Sequence, residues 1–432
     1  MLLTTPYPKF AAKYICAVGL ITCFAQYAWA RPPSRTPVDV NIVAHQDDDI
    51  LFINPDILNS VVAGHRQVTV FITSGSYYDP CYALDREAGA IAGYQKLLQL
   101  AQIIQNDPHH FNDFTETFDR DSRHPAGCSP SPSPPCDTFF ACNPHAAELS
   151  TPGTANVDYQ GPLHIGSRDL AVAKIADGPE GPKVMLIFLR LQTACWLDGN
   201  FDPNYPCPTC SHDPNDPNYD PNCVDVGPNP VNLGQLFQSG DNSVQIGSVF
   251  NDPNDPNYTP PYTKQQLINQ LVDILNFVQP NVVRTQDPAN GIVIDYPGNY
   301  MIPDLGCNHC ATGGGPHYYD HSDHVWGARF ARQAVVRYDN LPNSQNQPTY
   351  FTYNGYNVEW NEAARTRLST KYFCLKKSIF FNYAVYDNDH TCTGQGASLC
   401  DTPPAEPDPH NNFDCFSYLG IGYQKGQQQQ SP

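Results

Sequence analysis

Short apolar runs rich in β-branched residues alternate along this chain with longer segments of helical apolar spacing. The run Lys-Val-Met-Leu-Ile-Phe-Leu-Arg-Leu at 183–191 is apolar enough for a strand that is buried on both faces, as in parallel sheets. The pattern predicts strands at 38–44, 68–73, 183–191, 281–285 and 349–353, and helices at 84–105, 263–277, 323–337 and 359–381. Strands that alternate with helices favour right-handed crossovers. The predicted fold class is therefore α/β, a Rossmann-like, largely parallel sheet flanked by helices, with long disulfide-stapled loop insertions.

Two polar runs nearly 280 residues apart carry imidazoles and carboxylates in the numbers that one divalent metal and an acid/base pair require. Ala-His-Gln-Asp-Asp-Asp at 44–49 directly follows the first predicted strand, and His-Ser-Asp-His at 321–324 opens a predicted helix. Ligands of open α/β sheets bind beyond the carboxyl ends of the strands. We therefore expect a hydrolytic metal site that combines a strand end with a distant helix start.

The first 30 residues have the features of a secretory signal peptide. Lys9 and Lys13 precede an apolar run at 14–24, and Ala-Trp-Ala at 28–30 is a small-x-small cleavage site. The apolar run is short for a membrane span. A lipoprotein anchored at Cys23 is the weaker alternative, so we expect a secreted or periplasmic protein without stable membrane insertion.

Cysteine usage agrees with an oxidising compartment. Fourteen of the sixteen cysteines follow the signal segment, enough for up to seven disulfides. The pairs Cys207/Cys210 and Cys307/Cys310 are separated by 96 residues, whereas a zinc ribbon has roughly 15–20 between its pairs. Disulfides are therefore the favoured interpretation.

The expected mature chain is acidic, with 22 basic and 43 acidic residues and a net charge of −21. It lacks the basic footprint that nucleic acids, heparin and anionic lipids require, which argues against a nucleic-acid partner. An uncharged or cationic sugar remains compatible with this charge. An aromatic content of 12%, with 25 tyrosines, suits stacking against sugar rings.

Two proline-rich segments, 106–182 and 196–262, interrupt the α/β rhythm as insertions. The second contains Asp-Pro-Asn-Asp-Pro-Asn-Tyr at 213–219 and again at 252–258, and such steps favour turns. Calcium binding by these carboxylates is an alternative to a rigid surface loop, although no Gly-anchored calcium-loop spacing is present. The predicted organisation is a signal peptide, one domain with two insertions and a disordered tail, at 1–30, 31–425 and 426–432.

Several short motifs follow one another in an order that resembles a known family. The run at 44–49 is similar to an Ala-His-Pro-Asp-Asp-Glu signature, and the run at 321–324 to a His-x-Asp-His signature. Between them lie Thr-Ser-Gly at 73–75, Arg-Glu-Ala-Gly at 86–89 and Arg-Thr-Gln-Asp-Pro at 284–288. Together they resemble the PIG-L/LmbE-like deacetylases, zinc-dependent enzymes that remove acetyl groups from N-acetylglucosamine derivatives. The resemblance covers the α/β core and neither insertion.

The resemblance implies one catalytic zinc ion held by His45, Asp48 and His324. Three protein ligands leave an open position for water, as catalytic zinc sites require. Asp47 matches the general base of the family. Two neighbouring positions depart from the signature, because Gln46 stands for its proline and Asp49 for its glutamate.

Four further roles follow from the same resemblance. His321 would stabilise the oxyanion or protonate the leaving amine, and Asp323 would orient and charge His321. Tyr319 matches a position that contacts the developing oxyanion. Arg86 matches a substrate-binding position that grips sugar hydroxyls or a neighbouring anionic group.

Each of these residues also has a simpler interpretation. An acidic run such as 47–49 commonly caps a helix, and His321 could do the same. Arg86 could pair with Asp85 or Glu87 on an exposed helix face. The joint presence of both metal motifs on one α/β chain favours the site.

We therefore expect a secreted zinc-dependent hydrolase that removes the N-acetyl group of an amino sugar, of the N-acetylglucosamine type, in a glycan or glycoconjugate. One alternative is an amidase acting on another N-acyl group, such as that of an acylated glycopeptide. A second is a carbohydrate-binding protein that has lost turnover. Asp47 favours the enzyme, because binding alone does not need a base.

Overall fold

The computed structural model describes residues 36–76, 80–106, 153–158, 162–176, 178, 181–193, 231–240, 242–288, 321–341, 347–355, 366–367, 370–387, 421–422 and 426–427. The strands are β1 (Val38–Val43), β2 (Arg66–Thr73), β3 (Val157–Asp158), β4 (Leu163–Ile165), β5 (Arg168–Ile175), β6 (Val184–Leu191), β7 (Gln245–Ile246), β8 (Tyr262–Thr263), β9 (Val282–Gln286), β10 (Thr349–Tyr353), β11 (Thr366–Arg367), β12 (Ile421–Gly422) and β13 (Gly426–Gln427). The helices are α1 (Asp56–Val62), α2 (Pro80–Asn106), α3 (Leu233–Gln238), α4 (Lys264–Val278), α5 (Ser322–Asp339) and α6 (Thr370–Ala384), and a single π-helical turn spans Asp49–Ile53.

Five parallel strands form the centre of the main sheet, in the order β10-β9-β1-β2-β6. The other strands of this sheet are antiparallel: β13 pairs with β10, β5 pairs with β6, and β3 and β4 pair with β5. The predicted α/β class with a largely parallel sheet is confirmed. Strand order reverses on the two sides of β1, which places a topological switch point there, where ligands of such sheets bind.

Alternating side chains of the strands pack against helices on both faces of the sheet. Val40 and Val70 lie on the face that packs against α4 and α5. Val43 and Phe71 lie on the opposite face, against α2 and α6. The sheet is therefore a buried layer between two helical layers, and only its strand ends reach a surface where chemistry can occur.

The helix α4 begins where the sequence predicts. Thr263 is its N-cap and forms a capping box with Gln266, in which each side chain accepts from the other residue's backbone N–H. These reciprocal bonds satisfy amides that the first helical turn leaves without partners.

The structure differs from the sequence prediction near the C-terminal end. The helix predicted at 359–381 begins only at Thr370, and Thr366–Arg367 is strand β11. Gly426–Gln427, which the sequence analysis assigned to a disordered tail, forms β13 and pairs with Phe351 and Thr352 of β10. Both differences arise because pairing with a distant strand overrides the local pattern.

The two predicted insertions contain regular structure where the chain is described. The segment 106–182 includes β3, β4 and β5, and the segment 196–262 includes the short helix α3 and strands β7 and β8. The first Asp-Pro-Asn repeat and the predicted signal peptide lie outside the described residues. So do nearly all of the cysteines, although Cys81 takes part in a disulfide bond. None of the helices in the described ranges combines the length and apolarity needed to cross a bilayer.

Candidate metal centre

The two predicted metal motifs meet beyond the carboxyl end of β1. The backbone N–H of His45 donates to Asp48 Oδ2 over 2.6 Å, which folds the loop after β1 back on itself. His321 is the N-cap of α5, and its Nδ1 accepts the backbone N–H of Asp323 over 3.1 Å. This cap places His324 in the first turn of α5, facing the loop.

Four donor atoms of three residues face one another within this cluster. His45 Nδ1 lies 3.2 Å from His324 Nε2 and 3.5 Å from Asp48 Oδ2, and His324 Nε2 lies 2.8 Å from Asp48 Oδ1. Ligand atoms bound about 2.0–2.2 Å from a tetrahedral zinc ion lie roughly 3.3–3.6 Å apart. The side chains of His45, Asp48 and His324 would therefore fit such an ion if the shorter distances between their donor atoms increased slightly.

Other donors border this set. Within the described residues, His45, His321 and His324 form one group that could hold a metal ion, and His45, Asp47 and Asp48 form another. In each group the donor atoms lie within 4.8 Å of one another. All of these side chains are buried, and buried carboxylates and imidazoles of this density need a charge or hydrogen-bond partner.

The cluster stabilises an anionic Asp48 and a neutral His321. Burial favours the neutral acid at Asp48, but the nearby imidazoles of His324 and His45 outweigh it and hold the pKa of Asp48 well below its usual range. Burial, followed by the charge of His45, lowers the pKa of His321 to about 3. A neutral His321 whose Nδ1 is an acceptor carries its proton on Nε2.

Thr193, which follows β6, is a site residue that the sequence analysis missed. Its Oγ1 lies 2.9 Å from His45 Nε2 and donates to Asp323 Oδ2 over 2.8 Å. The same Asp323 oxygen lies 3.4 Å from His45 Nε2. The rule that site residues follow the carboxyl ends of parallel strands could have identified Thr193, because it lies two residues beyond a largely apolar run.

The carboxylate of Asp323 was expected to orient and charge His321, and its charge does act to raise the pKa of His321 against the larger effect of burial. The hydrogen bonds described for this carboxylate go to Thr193 and His45. His321 instead receives the backbone N–H of Asp323. Asp323 therefore supports the metal-ligand side of the site as well as the start of α5.

Arg86 contacts the protein rather than open solvent. Its side chain is 9% exposed and donates to Asp47 Oδ1 over 2.5 Å. It also donates to the carbonyl of Gly75 over 3.2 Å and to the Tyr383 hydroxyl over 2.9 Å, and it pairs with Asp387 at 3.3 Å. Burial opposes the charge of Arg86, but Asp47 outweighs it and raises the pKa of the guanidinium. The predicted substrate-binding arginine is thus the residue that holds the predicted base.

The turn at Gly75 permits this arrangement. Gly75 has a φ of +65°, and a Cβ there would lie 2.5 Å from the guanidinium of Arg86. Only glycine combines this backbone conformation with the space that Arg86 requires. Tyr383 and Asp387 carry no motif and lie at the end of α6, so sequence reasoning had no signal for them.

The two departures from the family signature are accommodated by polar contacts. Gln46 donates to the carbonyl of Thr73 over 3.1 Å. Asp49 accepts from the Tyr94 hydroxyl over 2.5 Å and from the backbone N–H of Ile50 over 2.8 Å. Burial is the main cause that raises the pKa of Asp49 to about 7.

The second Asp-Pro-Asn repeat docks next to this site. Arg190, at the end of β6, forms a bidentate ion pair with Glu87 of α2 at 2.6 and 2.7 Å. The same guanidinium lies over the ring of Phe250 and donates to Asn257 Oδ1 over 3.1 Å. The segment 250–257 is therefore fixed to β6, the strand that Thr193 follows.

Of the predicted site residues, His45, Asp47, Asp48, Arg86, His321, Asp323 and His324 lie in one cluster. Tyr319 lies outside the described residues. No protein-family model, curated protein or solved structure matches this chain.

Proposed function

We propose that this protein is a secreted metal-dependent hydrolase that removes the N-acetyl group of an amino sugar in a glycan or glycoconjugate. The observation that carries the proposal is the meeting of His45 and His324, which lie 279 positions apart in the chain, at 3.2 Å around Asp48. These side chains come from a strand end and from a distant helix start. Burying two imidazoles and a carboxylate together is unfavourable unless they bind a further group, and a metal ion would be such a group.

His45, Asp48 and His324 are the proposed ligands of a single zinc ion. Two imidazoles and one carboxylate form a nitrogen and oxygen set that suits zinc. A zinc ion bound there would supply Lewis-acid activation of water and of the acyl oxygen. The adjacent His321 and Asp47 then remain for proton transfer.

Asp47 is the proposed general base. Arg86 holds Asp47 Oδ1 at 2.5 Å and fixes the carboxylate next to Asp48. A base must be both charged and oriented before it can accept a proton from water. The ion pair fulfils the second condition, although it also reduces the intrinsic basicity of the carboxylate.

His321 is the proposed proton donor on the other side of the scissile amide. Its ring centroid lies 4.6 Å from that of His45, so it borders the ligand set. With Nδ1 engaged by the α5 cap, the Nε2–H of the neutral ring would donate a hydrogen bond to the developing oxyanion. To protonate the leaving amine, the ring would first have to take up a second proton, such as the one that Asp47 accepts from water. Tyr319, two residues earlier, is proposed to assist at the oxyanion.

The family and the compartment are part of the same proposal. The ordered motifs support membership of the PIG-L/LmbE-like deacetylases with a Rossmann-like fold. The predicted signal segment and the disulfide at Cys81 support secretion or a periplasmic location. The repeat at 252–258, docked through Arg190, supports a role for the second insertion in substrate selection.

Acetate release tests the proposal directly. The secreted chain is incubated with a panel of N-acetylated mono- and oligosaccharides, with and without a chelator, and again after zinc is restored. The expected result is acetate release that the chelator abolishes and zinc restores. The matched control is His45→Ala combined with His324→Ala, which removes two ligands and should also remove the stoichiometric metal.

The same assay, extended to substrates that carry other N-acyl groups, separates the alternatives. Release of a different acyl group would identify an amidase of another specificity. Sugar binding without any release would identify a carbohydrate-binding protein. A stoichiometric metal that survives the double ligand substitution would contradict the ligand set.

A further inference from the structure

We propose that Thr193 is a positioning residue that fixes the orientation and tautomer of the metal ligand His45 by linking it to Asp323. This inference rests on the proposed metal site and adds a residue that no motif of the chain contains. It concerns metal affinity, so it can be tested without a substrate.

The proton count in this part of the site leaves one consistent arrangement. Thr193 Oγ1 donates its only proton to Asp323 Oδ2 over 2.8 Å. It can therefore only accept at its 2.9 Å contact with His45 Nε2, which makes that nitrogen the donor. A histidine that ligates a metal is neutral, so in the metal-bound site the one proton of His45 would lie on Nε2, and the lone pair of Nδ1 would point toward His324 and Asp48.

The direct path from His45 to Asp323 is a weaker alternative. The Nε2 atom lies 3.4 Å from Asp323 Oδ2, at the limit of a hydrogen bond and longer than either bond through the hydroxyl. The hydroxyl thus bridges the imidazole and the carboxylate. Ligating histidines commonly give their second N–H to a carboxylate or carbonyl, and here the threonine transmits that contact.

The backbone holds Thr193 in place from two sides. Its N–H donates to the carbonyl of Ser76 over 3.2 Å, and the preceding Gln192 donates to the carbonyl of Gly247 over 3.0 Å. Thr73 Oγ1 lies 3.3 Å from the Thr193 hydroxyl but donates its own proton to the carbonyl of Ala44. The bridge is therefore pre-organised by β2 and by the described end of the second insertion.

A ring without this bridge has no fixed tautomer and can turn about its Cβ–Cγ bond. We expect Thr193→Val, which keeps the shape and removes the hydroxyl, to weaken metal affinity roughly 10–100-fold, as the loss of such outer contacts does in other metal sites. Thr193→Ser keeps the hydroxyl and should restore most of the affinity.

The experiment measures Zn²⁺ and Co²⁺ binding to the full chain by competition with a chromophoric chelator, together with the d–d absorption of the Co²⁺ form. The variants are Thr193→Val, Thr193→Ser and the matched control Thr352→Val, a buried threonine on β10. The control should bind metal like the wild type. In Thr193→Val, an altered Co²⁺ spectrum should accompany the weaker binding, because the ring of a ligand has changed its orientation.

Each outcome decides the matter. Unchanged affinity in a folded Thr193→Val, or a Thr193→Ser variant as weak as Thr193→Val, would overturn the bridge. If Thr193→Val does not fold, Asp323→Asn replaces it, because it removes the charge at the end of the bridge. A comparable loss there supports the bridge, and unchanged affinity overturns it. A wild type that binds metal but releases no acetate contradicts the proposed reaction alone, whereas a wild type that binds no metal overturns the bridge.

Discussion

The two faces of the central sheet are both buried, yet they differ in chemistry. Toward α4 and α5 the central strands present mainly aliphatic side chains, such as Val40, Ile42 and Val283. Toward α1 and α2 the same strands present Asp39, Asn41, Gln67, Thr69 and Arg284, which are buried as completely. Strict alternation of polar and apolar residues commonly marks a sheet with one face in water, and here it does not.

The polar face is a connected layer that reaches the metal centre. Arg284 donates to Asp39 over 3.0 Å, and Asn41 donates to Thr69 over 3.1 Å. Tyr94 then bridges Thr69 and Asp49, at 2.5 Å to each. One face of the sheet therefore supplies apolar packing, whereas the other ties the strands to the loop that carries the proposed ligands.

Asp47→Asn should have the largest functional effect and should leave the fold intact. Asp47 belongs to the loop to which the polar face is tied, and it is the proposed general base. Its replacement should therefore lower kcat about 10²–10⁴-fold on a confirmed substrate. Metal content should stay close to that of the wild type, whereas the unfolding midpoint should fall, because the buried Arg86 loses its closest carboxylate and keeps only the longer contact with Asp387. Turnover near the wild-type rate would remove Asp47 from the mechanism even if the metal site proved correct.

Arg284→Met should have the largest effect on stability. It leaves the carboxylate of Asp39 buried without its arginine, which should lower the free energy of unfolding by roughly 3–5 kcal/mol. Adding Asp39→Leu should recover much of that loss, because an apolar pair can replace a buried ion pair. Urea unfolding of both single variants and the double variant measures this. A double variant that is less stable than either single variant would mean that the polar layer itself stabilises the fold.

Leu271→Ala probes the apolar face. Leu271 of α4 is fully buried, and its truncation should lower the free energy of unfolding by roughly 2–5 kcal/mol. Metal affinity and kcat should be retained, since α4 supplies no proposed site residue. Loss of metal binding in a folded Leu271→Ala variant would show that the apolar face of the sheet also supports the metal site.

Lys376→Met tests whether the polar side also contains a neutral amine. Burial lowers the pKa of Lys376 on α6 to about 7, so between that pH and the pKa of an unfolded lysine the unfolded chain binds one more proton. Stability of the wild type should therefore rise with pH in this window, by about 1.4 kcal/mol per pH unit more than that of the variant. Unfolding at pH 7.5, 8.2 and 9.0 measures both slopes, and equal slopes would show that Lys376 is charged in the folded protein.

The sequence predicted what local patterns determine. The parallel strands, the helix cap at Thr263 and the two clusters of candidate ligands all follow from residues that are close together in the chain. The residues that support the candidate site could not be predicted from such local patterns. Thr193 and Asp387 act through contacts with residues that are distant in the chain, and β5 pairs with β6 from within a proline-rich segment.

The ion pair between Arg86 and Asp387 has a consequence for how the protein is made. Asp387 lies about 300 residues after Arg86 and just beyond α6, so the ribosome has synthesised most of the chain before this contact can form. A nascent chain that still lacks α6 already contains every motif of the proposed enzyme. It does not yet contain the groups that hold Arg86 against Asp47, so competence for the proposed hydrolysis would be acquired late, after α6 has docked.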